Sequence, residues 1–229
     1  MAIYKKLDVY FLIDISASMY GEPIVSINEA FKTIVDKLRC SDQNFNFNIV
    51  ERIKLCVSSY NSQTVDNLAL TTLNEIGFLE IGPATGLTNS GKAIKHTLQK
   101  LNDNITSNGN YLFLNKPPLF IHLTDGNPTD IDQYEEVTNG LYDIIAVNKI
   151  GCAIGQYVEL NYLKKFSNQI VLLEKNDNDS INQFAIWISE LILYYLLSDD
   201  DNLNNVFDLI PIKPQNPSLT SRLKFVNFN

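Results

Sequence analysis

A chain of 229 residues with 45% hydrophobic and 19% charged residues carries enough apolar content to bury a sizeable core, which excludes a disordered polymer. The formal net charge is −8 and the lysines form no stripe, so nucleic acid is not an expected partner: a phosphate backbone rewards concentrated positive charge. Cys40, Cys56 and Cys152 are widely spaced and lack a Cys-x-x-Cys pair, so they read as reduced thiols rather than as a disulfide framework or a zinc site.

The apolar run Val9-Tyr10-Phe11-Leu12-Ile13 predicts a buried first strand that ends in Asp14-Ile15-Ser16-Ala17-Ser18. Ile24, Ile27, Phe31, Ile34, Val35 and Leu38 then recur at helical spacing, with Pro23 suited to a first turn. Ile53 to Tyr60 reads as a second strand and Leu68 to Leu73 as a third, antiparallel at an edge because the connection is too short for a crossover helix. The loop Gly82-Pro83-Ala84-Thr85-Gly86-Leu87-Thr88 leads into a helix with Ala93, Ile94, Leu98 and Leu101 on one side. A fourth strand, Pro118 to Leu123, ends in Thr124-Asp125-Gly126; Thr129 and Asp132 then resemble an imperfect capping box for the next helix.

Lys149 to Ile154 and Gln169 to Leu173 complete the strands, with a helical Leu160 to Phe166 between them. The last helix, about Ile181 to Leu197, is apolar nearly all round. Glu190 interrupts a run already short against the ~20 residues a bilayer needs, so it reads as a docked core helix, not a membrane span. This alternation predicts an α/β fold: a doubly wound, mostly parallel six-stranded sheet with one antiparallel edge strand and helices on both faces, over residues 1–198. Residues 199–229, with Asp199-Asp200-Asp201 and then Pro211, Pro214 and Pro217, read as a mobile or weakly docked tail. Within the tail, Val206 to Ile212 and Leu223 to Phe228 are apolar enough to dock as strands on this domain or on a partner.

Oxygen-bearing side chains gather at predicted strand ends and helix entries: Asp14, Ser16 and Ser18, then Thr88, then Asp125. In an open parallel sheet, ligands bind outside the carboxyl ends of the strands where the strand order reverses. Two carboxylates and three hydroxyls suit a hard divalent cation, Mg²⁺ or Mn²⁺, with Ca²⁺ also open. Taken singly, each segment has an ordinary alternative as a helix cap or turn. Thr85 competes with Thr88; Thr88 is preferred because it stands two after Gly86, at the mouth of the helix. Asp130 and Asp132 suit a helix N-terminus better than a metal. His122 alternates with core residues and His96 lies on a helix facing solvent, so neither supports a Ser–His–Asp hydrolase.

In order, Asp14-x-Ser16-x-Ser18, Gly86-x-Thr88 and Leu123-Thr124-Asp125-Gly126 resemble the metal-ion-dependent adhesion site of von Willebrand factor type A domains, over roughly residues 7 to 197. Thr124-Asp125-Gly126-Asn127-Pro128-Thr129-Asp130 and Gln183-Phe184-Ala185-Ile186-Trp187-Ile188-Ser189 resemble the bacterial TerY-like branch, associated with tellurite-resistance and stress gene clusters. The resemblance implies metal ligation by Asp14, Ser16, Ser18, Thr88 and Asp125, some contacts through water, and a non-enzymatic protein-binding role. It also implies a partner that brings an Asp or Glu to the metal, with a kinase or phosphatase encoded nearby as candidates. Tyr20, Glu22, Asn89 and Asn127 are the expected rim. No apolar signal core precedes the first strand, so a cytoplasmic location is expected. Two other readings stay open: a metal-assisted phosphohydrolase, and a scaffold that binds partners through residues 199–229.

Overall fold

A computed structural model of the chain describes residues 5–45, 48–109, 111–140, 147–155, 157–173, 175, 177–199, 201 and 223–227. In chain order its strands are β1 (Leu7–Asp14), β2 (Ile53–Tyr60), β3 (Thr64–Thr72), β4 (Leu119–Thr124), β5 (Asn148–Ile154), β6 (Gln169–Leu173) and β7 (Leu223–Asn227). The helices are α1 (Glu22–Phe45), the single-turn α2 (Ile49–Arg52), α3 (Ser90–Ser107), the single-turn α4 (Tyr111–Leu114), α5 (Ile131–Gly140), α6 (Leu160–Phe166) and α7 (Asn178–Leu197).

The strands form one sheet in the order β3-β2-β1-β4-β5-β6-β7. β2, β1, β4, β5 and β6 are parallel, and the strand order reverses between β1 and β4, which pair directly. Both edges are antiparallel: β3 folds back on β2, and β7 pairs with β6 from Leu173↔Leu223 to Gln169↔Asn227. Among the described residues the sheet therefore has seven strands, where the sequence pattern predicts six. The extra one comes from the far end of the chain, so its alternation of buried Leu223 and exposed Lys224 signals a strand without naming the edge it joins. Val206 to Ile212 lies outside the described residues. β3 begins four residues earlier than the expected Leu68, because Thr64 to Asn67 line an edge where polar side chains are tolerated.

Every residue of β1 is buried, as a central strand covered on both faces requires. Its alternating side chains split between two cores. Val9, Phe11 and Ile13 pack with Ile27, Phe31 and Ile34 of α1 and Ile181, Ile188 and Ile192 of α7. Tyr10 and Leu12 face Ala93, Ile94 and Leu101 of α3 and Phe166 of α6. Among the described residues, α7 alone is long and apolar enough to cross a membrane, but most of it is buried within this fold. Its Trp187 meets the ring of Phe225 in β7 with centroids 5.4 Å apart. Cys56 and Cys152 are buried free thiols and Cys40 is exposed.

Candidate functional site

The β1–β4 pairing brings two carboxylates to one end of the sheet. Ile13 is in register with Leu123, so Asp14, the last residue of β1, lies opposite Thr124, and Asp125 follows directly after β4. Asp14 is fully buried and held from both sides: Oδ1 accepts the Ser16 backbone N–H at 2.8 Å, and Oδ2 accepts the Thr124 hydroxyl at 2.6 Å. The chain then makes a single 3-10 turn over Ala17–Met19, which carries Ser18 toward Asp125. Ser18 Oγ donates to Asp125 Oδ1 at 2.7 Å and lies 3.1 Å from Ser16 Oγ. Two serines thus bridge the two carboxylates.

Thr88 arrives on the loop before α3. Thr85 N–H donates to Ile15 O at 2.8 Å and Ala17 N–H to Gly86 O at 3.1 Å, so this loop runs alongside the Asp14–Ser18 segment. Gly86 turns it with φ +79, a conformation that favours glycine. A Cβ placed on Gly126 would stand 3.2 Å from Thr88 Oγ1 and 4.0 Å from Asp14 Oδ2, so both oxygens crowd the same face of Gly126. Thr85 points elsewhere: its hydroxyl accepts Asn61 Nδ2 at 3.2 Å. Asp14, Ser16, Ser18, Thr88 and Asp125 therefore meet in one place, and Thr85 stays at its margin.

Burial pushes the Asp14 carboxyl up to about 6, against the opposing hydrogen bonds from Thr124 and Ser16. Asp125 is also raised by burial, with the Ser18 bond opposing. Among the described residues, neither carboxylate forms an ion pair with a lysine, arginine or histidine. Two adjacent buried acids without a counter-charge are costly, and an all-oxygen donor set of this kind fits a hard divalent cation. All five predicted residues suit that group by chemistry and placement.

Local sequence pattern missed several supports. Thr124, part of the sequence motif but given no role there, orients Asp14, and its Oγ1 also accepts the Gly126 N–H at 3.2 Å; the β1–β4 pairing, in register up to Ile13 and Leu123, brings it beside Asp14. The capping-box reading of Thr129 and Asp132 is corrected, because the Thr129 hydroxyl donates to Asn89 Oδ1 at 2.8 Å, across to the α3 loop. Asp130 does serve a helix N-terminus, but that of α3 rather than α5, accepting Gly91 N–H at 3.0 Å and Lys92 N–H at 2.8 Å. Under the site, Tyr60 Oη contacts His122 Nε2 at 2.7 Å, and burial lowers His122 to about 3, a neutral structural ring. His96 is partly exposed and contacts Asp66 Oδ1 at 3.1 Å. Around the rim, Tyr20 is 78% exposed and Glu22 is exposed, while Asn127 and Glu159 exchange hydrogen bonds between the β4–α5 and β5–α6 loops.

The fold is a doubly wound α/β domain with a cluster of carboxylates and hydroxyls at the reversal of strand order, the place where open parallel sheets bind ligands. Residues 8–185 match the model of the von Willebrand factor type A domain, and the chain belongs to that family, a family of protein-interaction modules. It is similar to inter-alpha-trypsin inhibitor heavy chain H2 of Sus scrofa, 31% identical over 170 residues that cover 70% of this chain and 17% of that one. The Mus musculus counterpart is 30% identical over 171 residues, covering 71% and 17%. The chain thus matches only about a sixth of the length of these curated relatives. Among solved structures, the ArnB paralog VWA2 from Sulfolobus acidocaldarius shares the fold with a TM-score of 0.56 at 16% identity, covering 83% of this chain and 46% of that one. Proximal thread matrix protein 1 from the mussel byssus does so with a TM-score of 0.56 at 14% identity, covering 82% and 46%.

Proposed function

We propose that this domain is a metal-ion-dependent protein–protein interaction module, in which Asp14, Ser16, Ser18, Thr88 and Asp125 hold Mg²⁺ or Mn²⁺ for the capture of a partner's Asp or Glu. The observation that carries the reading is the pair of buried carboxylates, joined by two serines and lacking a cationic side-chain partner among the described residues. A divalent ion bound there supplies positive charge that two carboxylates and three neutral hydroxyls leave able to attract a further carboxylate. This chain's residues do the remaining work. Thr124 and the Ser16 N–H fix the Asp14 oxygens, Ser18 orients Asp125, and Tyr20, Glu22, Asn89 and Asn127 frame what approaches.

The proposal extends to a non-enzymatic role in the cytoplasm. It includes membership of the TerY-like branch of bacterial stress and tellurite-resistance systems, with a kinase or phosphatase encoded nearby as candidate partners. Support for that branch is the run Thr124 to Asp130 and the run Gln183 to Ser189. Affinity capture from the native host, with wild type beside Asp14→Ala and with or without chelator, tests metal and partner together. A partner retained by wild type and lost in both other conditions is the expected result. Equal Mn²⁺ binding heats for wild type and Asp14→Ala would refute the metal assignment.

A further inference from the structure

The loop carrying Asp125 and the loop carrying Thr88 belong to different βα units, yet their relative position decides whether the site closes on an ion. Four hydrogen bonds fasten them together. Thr129 N–H donates to Thr88 O at 2.8 Å, and the Thr129 hydroxyl to Asn89 Oδ1 at 2.8 Å. Asp130 Oδ1 and Oδ2 accept Gly91 N–H at 3.0 Å and Lys92 N–H at 2.8 Å. The first turn of α3 needs this outside help. Its own N-cap residue, Asn89, makes no capping bond, since its side chain is committed to Ser62 O and to Thr129. Asp130 therefore supplies, from the other loop, the acceptor that a local Ser, Thr or Asp would ordinarily provide.

Gly91 shows how close the two segments lie. A Cβ there would come within 2.3 Å of Tyr134 N in the first turn of α5, so only glycine lets the turns meet. A carboxylate is also the fitting group for this position: it accepts two N–H groups at once and places negative charge at the positive end of a helix of 18 residues.

We infer that Asp130 is a positioning residue for the metal site, capping α3 from the Asp125 loop and thereby setting the separation of Thr88 and Asp125. The inference rests on the metal-binding reading proposed above. Asp130 touches none of the five candidate ligands through its side chain; it acts through the backbone that carries Thr88. Losing a group bonded directly to a metal ligand costs about 10- to 100-fold in affinity, and Asp130, one step further out, is expected at the low end of that range.

The test is a Mn²⁺ titration of wild type, Asp130→Ala, Asp130→Asn and Asp66→Asn, with backbone amide exchange across 86–93 measured separately in chelator. Asp66 is the control, because its carboxylate binds the middle of the same helix at His96 and Lys100. Asp130→Ala is expected to weaken Mn²⁺ about 10-fold and to speed exchange at Gly91 and Lys92. Asp130→Asn, whose amide oxygen still accepts one N–H, is expected to recover part of both, and it carries the test if the alanine variant does not fold. Asp66→Asn should leave Mn²⁺ affinity within about 2-fold. Unchanged affinity in Asp130→Ala and Asp130→Asn, or an equal loss in Asp66→Asn, would overturn the inference while leaving the metal reading intact. Absence of Mn²⁺ heat in wild type would overturn both, with the exchange data still reporting whether Asp130 caps α3.

Discussion

Replacing Asp14 by Asn should make the metal-free domain more stable at neutral pH while abolishing its response to metal. The carboxyl rises from its ordinary 3.8 to about 6 in the folded state because it is buried. Between those two values the folded chain holds a proton that the unfolded chain has released. Folding stability therefore falls as pH rises through this window, and the charged carboxylate costs the fold about 3 kcal/mol at pH 7. An asparagine avoids that cost. Its oxygen can accept the Ser16 N–H as Oδ1 does now, and Thr124, which also lies 3.1 Å from Gly126 O, can turn its proton there and accept from the new amide. Allowing about 1 kcal/mol for this rearrangement, the net gain at pH 7 is about 2 kcal/mol, or roughly 4–8 °C in Tm for a domain of this size.

The assay is urea unfolding of both proteins in chelator from pH 4 to pH 8, read as the difference between them so that other titrating groups cancel. The difference should disfavour the variant slightly at pH 4, rise through pH 6 and level off by pH 7. Added Mn²⁺ should then stabilise the wild type alone, reversing the order. A difference independent of pH, or a variant less stable than wild type at pH 7 in chelator, would refute the assignment of a costly buried charge at Asp14.

Two further outcomes follow from other parts of the fold. His122 is lowered by burial from 6.5 to about 3, so its ring proton resonances should stay constant from pH 8 to pH 4, and its contribution to stability is lost as pH falls from 6.5 toward 3; a midpoint near 6 by NMR would contradict its buried contact with Tyr60. Phe225→Ala should destabilise the domain by about 2 kcal/mol and shift emission of the single tryptophan, Trp187, to the red, whereas unchanged emission would contradict the packing of β7 against α7.

How much of this was legible in the sequence depends on the range over which each signal acts. β2, β6 and α6 carry their boundaries in local apolar runs, and the structure reproduces Ile53–Tyr60, Gln169–Leu173 and Leu160–Phe166 as the pattern predicts. Edge strands are harder. β3 has polar residues at its start because, among the described residues, one side of it has no pairing strand, and β7 is separated from the rest by the stretch bearing Pro211, Pro214 and Pro217. Asp14, Ser16, Ser18 and Asp125 announce themselves by interrupting apolar runs where strands end. Thr88 is separated from Thr85 only by the backbone path that Gly86 sets. Asp130 is legible as a helix N-terminal residue and Thr124 as part of a motif, but what each bonds is not, because their partners lie 39 and 110 residues away, a distance across which no local periodicity speaks.

β1 joins the candidate site to the opposite end of the molecule in a single straight run. Asp14 closes the strand on one side of the domain and Leu7 opens it on the other, and each residue between them is paired with β2 while β4 holds the other flank. A pull on Asp14 against an anchor near Leu7 would run along the covalent backbone of β1 itself, while the share entering through Asp125 at the end of β4 would reach that anchor through the β1–β4 hydrogen bonds, loaded together in shear. Tension on that end of the sheet is therefore spread along β1 and its pairing with β4, with no single hydrogen bond carrying it alone.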